Sequence, residues 1–182
     1  MTLPLYVGLP MWANQDWQGS LYPRQAKTDL LSDYAAVFSS VEGNTTFYSG
    51  VPKPDTIAAW ARQAPAHFRF CFKLPASVTH DQRLGSLASA WEFIEALTPL
   101  HDRLGPTMVQ LPRDFGPSEL PKLEALLAHW PTQLPCAVEV RHPVFFRLCW
   151  YLLLVFAYRY AKPRFLGWPR GFKQPSPCQV IG

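Results

Sequence analysis

The sequence predicts a parallel α/β fold, either an open doubly wound sheet or a (β/α) barrel, and three observations carry that expectation, the third of them against a nucleotide-binding sheet. Five short apolar runs begin at residues 5, 37, 68, 107 and 136, so their starts lie 32, 31, 39 and 29 residues apart. Between them lie stretches whose apolar residues recur at helical spacing, which is the alternation of strand and crossover helix that returns a chain to a parallel neighbour. No G-x-G-x-x-G follows the first run and there is no Walker sequence, so the glycine-rich phosphate loop of a nucleotide-binding sheet is missing.

The first strand is read as Leu5 to Leu9, the second as Val37 to Glu42, the third as Phe68 to Lys73, the fourth as Thr107 to Leu111 and the fifth as Cys136 to Arg141. The first helix is signalled by Leu30, Leu31, Tyr34 and Phe38 at three- and four-residue steps, with Asp29 and Asp33 falling between them. The second opens at Pro54, a good first-turn residue, and turns Ile57, Trp60, Ala61 and Ala64 inward. The third runs from about Ser86 to Leu97 and restarts at Thr98-Pro99, and the fourth follows Pro117-Ser118 with Leu123, Leu126, Leu127 and Trp130 on one side. At about 31 residues per unit, eight units would total about 250 residues, the usual size of a TIM barrel; this chain has room for five before its character changes.

Composition narrows the class. With 182 residues, 48% hydrophobic and only 16% charged, and with 7 Trp, 7 Tyr and 12 Phe, the chain can bury a sizeable core and is neither disordered nor fibrous. The net charge of +4 suggests nucleic acid until the charges are located: residues 1–146 hold 11 bases and 13 acids, giving 11 − 13 = −2, whereas residues 147–182 hold 6 bases and no acid. Nucleic acid is therefore weakly supported as a partner, and a small polar or phosphorylated ligand is preferred. Cys71, Cys136, Cys149 and Cys178 lie far apart with no C-x-x-C pair, and MTLPLYVGLP lacks a basic n-region, so a reducing cytoplasm is the expected compartment.

Two segments are expected: a (β/α) domain over 1–146 and an atypical tail over 147–182. The tail carries an 11-residue apolar run, Leu148 to Tyr158, too short for a transmembrane span, which needs ~20 residues. Flanked by Arg147, Arg159, Lys162 and Arg164, it reads either as an interfacial anchor or as the product of a frameshift or altered splice, and the abrupt loss of acids and of the strand-helix period favours the second.

In a parallel barrel the reacting groups sit at the carboxyl ends of the strands. Those positions hold Trp12, Asn14, Asp16 and Trp17; Glu42, Asn44, Thr45 and Tyr48; Lys73, Thr79 and His80; Gln110 and Arg113; and Glu139, Arg141 and His142. Alternation with Val41, Val138 and Val140 turns Glu42 and Glu139 into the barrel, where an unpaired carboxylate is costly. Lys73 and Arg141, on the same faces, are their natural partners. His80, in the loop after strand three, supplies an imidazole, the side chain whose ordinary pKa lies nearest neutrality, and can act as general acid or base or as a metal ligand. Glu42, Lys73, His80, Glu139 and Arg141 are the candidate catalytic set; Trp12, Trp17, Asn44, Tyr48 and Gln110 are the candidate substrate-binding set. Each has a plain structural reading beside the functional one: an ion network filling the barrel, or rings packed in the core. No spacing signals a metal, and no cofactor is indicated.

The stretches WANQDWQGSLYP (12–23), LLSDYAAVFSSVEGNTTFY (30–48), FRFCFKLP (68–75) with Trp60, VTH (78–80), LGPTMVQLP (104–112) and CAVEVRHPVFF (136–146) closely resemble the YecE-like family, a domain of unknown function. The resemblance covers roughly residues 5–146 and implies a TIM-barrel-like fold with no established activity. It also implies further βα units, so the chain reads as truncated after its fifth strand. Such an open five-stranded arc exposes two sheet edges, and an inactive chain is one expectation. An enzyme-like barrel with a polar strand-end site is the leading one, and a non-catalytic module binding an anion or nucleic acid is the alternative. One departure stands inside the match: the family's acidic-x-asparagine turn usually has a small aliphatic at x, and here Gly43 occupies it, loosening strand two where a side chain would pack.

Overall fold

The structure is a computed structural model in which residues 5–23 and 30–145 are described. The expectations for Asp29 and for the 147–182 tail lie outside those residues.

Among the described residues five strands pair in parallel. β1 (Gly8–Leu9) lies beside β2 (Ser40–Gly43), and β2 beside β3 (Arg69–Phe72), with Glu42 opposite Cys71 and Gly43 opposite Phe72. β4 (Thr107–Gln110) pairs with β5 (Cys136–Glu139), placing Gln110 opposite Glu139. Isolated parallel bridges, Phe70 to Leu104 and Lys73 to Met108, join the two sheets, backed by Gly105 N–H donating to the Phe70 carbonyl at 2.8 Å and Leu74 N–H to that of Met108 at 2.9 Å. The strands thus follow chain order without the reversal that marks a doubly wound sheet.

The helices fall close to where apolar spacing puts them. α1 (Leu30–Ala35) buries Leu31 and Tyr34 but stops before Phe38. A five-residue helix that the apolar spacing does not signal, α2 (Thr45–Ser49), follows β2 directly. α3 (Pro54–Gln63) starts on its proline and buries Ile57. α4 (Leu87–Ala96) buries Ala90 and Phe93 and passes into a 3-10 segment over Thr98–Arg103. α5 (Leu120–Ala128) turns Leu123 and Leu126 inward.

β1 is shorter than the five residues expected: Leu5, Tyr6 and Val7 are exposed, and of their backbone groups Val7's carbonyl meets the segment leading into β2, accepting from Ser39 and Ser40 N–H, both at 3.1 Å. Gly8 is essential to the pairing that remains, since a Cβ there would stand 2.0 Å from the Ser40 carbonyl oxygen. Tyr34 fastens the same joint. Its hydroxyl accepts from Leu9 N–H at 2.6 Å and donates to the Ser40 carbonyl at 3.0 Å, and burial pushes its pKa up.

Alternation along the strands sorts the sheet into two faces. One carries Val41, Phe70, Phe72, Leu74, Val109 and Leu111, all buried. Phe70 and Phe72 stack with centroids 5.7 Å apart, and Trp60 of α3 lies parallel to Phe72 at 5.5 Å, so an aromatic layer fuses the sheet to its helix.

Gly43 belongs to this layer, and it corrects the expectation that strand two is loosened there. A Cβ at Gly43 would meet the Phe72 ring at 2.5 Å, so the ring already fills the space a small aliphatic would take. Gly43→Ala is therefore expected to cost about 1–3 kcal/mol by overpacking. Paired with Phe72→Leu, it should cost less than the sum of the two single changes in urea unfolding; strict additivity would refute the shared space.

Candidate functional site

The opposite face of the sheet is polar and half open to water. Register places Glu42 of β2, Cys71 of β3, Lys73 just after it, Gln110 of β4, Glu139 of β5 and Arg141 beyond it on this one side. All six are partly exposed. The two ion pairs expected from alternation are present: Lys73 Nζ lies 2.8 Å from Glu42 Oε1, and Arg141 Nε lies 3.0 Å from Glu139 Oε1. Lys73 is the more enclosed, its side chain 17% accessible against 33% for Glu42. Cys71, opposite Glu42, has its thiol pKa pushed up by burial and then by the Glu42 carboxylate.

His80 enters from a π-helical turn, Ser77–Asp81, that follows β3. Its ring meets Phe47 of α2 edge-on at 5.3 Å, and Nδ1 lies 2.9 Å from the Thr79 hydroxyl. Burial lowers its pKa, Arg141 and Arg83 lower it further, and Asp81 and Asp114 oppose them. The group thus stays neutral to lower pH than a free imidazole.

The substrate-binding candidates separate. Gln110 sits on the polar face opposite Glu139. Tyr48, 84% exposed, leans on Phe47 at 5.0 Å, next to the His80 ring. Trp12 goes elsewhere: its ring packs edge-on against Trp60 at 5.4 Å and Phe70 at 6.4 Å, in the aromatic layer on the other side of the sheet. Trp17 lies against Tyr22, whose hydroxyl donates to the Trp12 carbonyl, so both tryptophans are spent on fastening the loop after β1. Asn44 does likewise by donating from Nδ2 to the Pro10 carbonyl at 3.2 Å. His142 accepts from Val144 N–H at 3.2 Å as a local helix cap.

One constellation escaped sequence reasoning. Arg83, at φ 49° and followed by Leu84 at φ 58°, holds the turn after β3 to the loop after β4. Its Nη1 lies 3.1 Å from both Asp114 carboxylate oxygens, Nε lies 2.8 Å from Glu119 Oε1, Nη2 also bonds Glu119, and the guanidinium lies over the Phe115 ring. Left-handed backbone at two consecutive non-glycine residues persists only where surrounding contacts enforce it. The acids lie 31 and 36 residues from Arg83, beyond any local pattern.

Arg83, and after it Lys122, hold the Glu119 pKa down at about 2 against the opposing effect of desolvation. A depressed carboxylate contributes stability that is full above its unfolded pKa of about 4.3 and is lost as pH falls toward the folded value. Glu119→Gln should therefore flatten the fall in thermal midpoint between roughly pH 5 and pH 2.5; a profile parallel to that of the unaltered chain would show that the clamp contributes nothing.

Among the described residues no three His, Cys, Asp or Glu side chains converge as a metal ion would need, and no helix is long and apolar enough to cross a membrane.

Comparison with known proteins fits this geometry to a family. The family model described as "Protein of unknown function DUF72" matches residues 6–154, reaching past Phe146 into the segment where composition changes. UPF0759 protein YecE of Escherichia coli strain K12 is 42% identical over 143 residues, which is 78% of this chain and 50% of that protein. Crystal structures of two DUF72 family proteins are similar. The one from Thermotoga maritima MSB8 has a TM-score of 0.69 at 31% identity, covering 86% of this chain and 62% of that one. The one from Enterococcus faecalis V583 has a TM-score of 0.69 at 24% identity, covering 85% and 57%. The chain spans about half the length of the curated relatives it matches.

Proposed function

Because the chain belongs to the DUF72 family of proteins of unknown function, its chemistry has to come from the site itself, and we propose that its five strands are an arc of a TIM-like barrel whose polar strand-end cluster binds a small polar metabolite and moves a proton on it. The observation that carries the reading is the convergence of side chains from β2, β3 and β5 on one partly open face. Two ion pairs stand there, and His80, in the turn after β3, feels the charge of Arg141. Partial water access at both ion pairs favours a binding site over a network that only fills a barrel.

Glu42, Lys73, Glu139 and Arg141 sum to zero formal charge, which favours an uncharged polar ligand over a phosphorylated one. Lys73 and Arg141 donate to its oxygens, Glu42 and Glu139 accept from its hydroxyls, and Gln110 can do either. Tyr48 offers an exposed ring face on which a sugar or planar ring can stack. His80, kept neutral by burial and by the nearby guanidinium charges, presents a neutral imidazole to the ligand. The activity is assigned to proteins of the relatives' full length, with the sheet edges at β1 and β5 continued by further βα units.

The test is a metabolite panel read by thermal shift on a full-length relative, with the counterparts of Lys73→Ala and His80→Ala beside it. A true ligand at a hundred times its Kd stabilises by about 2.7 kcal/mol, and each variant should abolish that gain. Stabilisation surviving intact in both variants would remove the site. Salt-sensitive binding of anions without turnover would favour a non-catalytic module instead.

A further inference from the structure

The roles of the two His80 ring nitrogens are set by a side chain that no functional reading has used. Thr79 is fully buried, and its hydroxyl has two neighbours: His80 Nδ1 at 2.9 Å and the Pro75 carbonyl oxygen at 3.3 Å. A hydroxyl has one proton to give, so it serves one of them. Pro75 is the poorer acceptor on two counts. Its carbonyl already takes Val78 N–H at 3.0 Å and Thr79 N–H at 3.1 Å, one for each lone pair. The 3.3 Å separation also lies outside the 2.5–3.0 Å range of O–H···O bonds. Both counts favour His80 Nδ1 as the acceptor of that proton, which makes it the unprotonated nitrogen.

We propose that Thr79 locks His80 as the Nε2–H tautomer, so that the site offers its ligand a hydrogen-bond donor at Nε2 and takes a substrate that presents an acceptor oxygen there, a carbonyl or hydroxyl oxygen. This rests on the reading that His80 faces the ligand, and it deepens it. In this arrangement His80 polarises an oxygen on which negative charge develops, and it is not the group that removes a proton, since its one lone pair is engaged by Thr79. The surroundings agree. Phe47 meets one edge of the imidazole, and burial together with the charges of Arg141 and Arg83, partly offset by Asp81 and Asp114, disfavours imidazolium. Thr79 is a positioning residue in this scheme.

The experiment is long-range proton–nitrogen correlation NMR on the full 182-residue chain with labelled histidine, at pH 8, above the ordinary imidazole pKa of about 6.5. His80 should show a purely unprotonated Nδ1 and a protonated Nε2. Thr79→Ser should reproduce that pattern, and Thr79→Val should move both nitrogens toward the averaged shifts of an unrestrained imidazole. A protonated Nδ1 in the unaltered chain, averaged shifts there, or a Thr79→Val spectrum identical to it would overturn the proposal. Should Thr79→Val fail to fold, the unaltered chain and Thr79→Ser still decide. None of these outcomes depends on ligand binding, so failure here leaves the metabolite-binding reading to its own test.

Discussion

Replacing Phe70 by alanine is expected to remove about 3–5 kcal/mol of stability, a large share of the 5–15 kcal/mol typical of a whole domain. The ring is fully buried and meets Trp12 at 6.4 Å, Trp60 at 6.3 Å, Phe68 at 5.0 Å and Phe72 at 5.7 Å. It thereby joins β3, α3 and the loop after β1 in one contact set. Such a site cannot collapse around a methyl group, because its neighbours are rigid rings held by separate elements. Urea unfolding of the two chains measures the difference, and Val138→Ala on the exposed part of β5 supplies the comparison, with an expected change within about 0.5 kcal/mol. A loss below about 1 kcal/mol at Phe70 would mean that the aromatic layer is not what couples sheet to helix.

That layer also shows what was legible in the sequence and what was not. Period-two alternation in FRFCFK marks Phe70 and Phe72 as one face and Cys71 and Lys73 as the other, so the core and the shared face of Lys73 and Glu42 follow from parity, while their direct pairing follows from register. The same holds for Arg141 and Glu139, two residues apart on one strand direction. Parity has nothing to say about loops. Trp12 and Trp17 sit at a strand's carboxyl end and read as rim residues, but a large ring beside Trp60 and Phe70 gains more by burial than by exposure, and the loop folds to deliver it. The Arg83 clamp was invisible for another reason: it joins two loops through backbone angles that ordinary residues avoid, and only the fold brings Asp114 and Glu119 within reach. Gly43 read as a weakness because its neighbour across the strands, Phe72, is known only once the register is known.

Lys73→Met is the change expected to matter most on the polar face. It keeps the stem that packs against the sheet and deletes the charge that answers Glu42, leaving a carboxylate two-thirds covered and without its cation. Removing one partner of a fully buried pair costs 3–5 kcal/mol; water at Glu42 lowers the expectation to about 1–3 kcal/mol. The double change Lys73→Met with Glu42→Gln should cost less than Lys73→Met alone, since the stranded charge disappears with its partner. If the double change is the worse of the two in urea unfolding, the pair is not coupled. Cys71 gives an independent reading of the same electrostatics, because Glu42 is one of the two causes that raise its thiol pKa. Glu42→Gln should lower that pKa and speed Cys71 alkylation at pH 8, as followed on its own peptide by mass spectrometry. An unchanged rate would place the Glu42 charge too far away to act on this face. On the proposed reading, a ligand inserted between Lys73 and Glu42 would offer an acceptor to one and a donor to the other, as a hydroxyl does and a fully ionised phosphate does not, and the pair would then select an uncharged polar substrate.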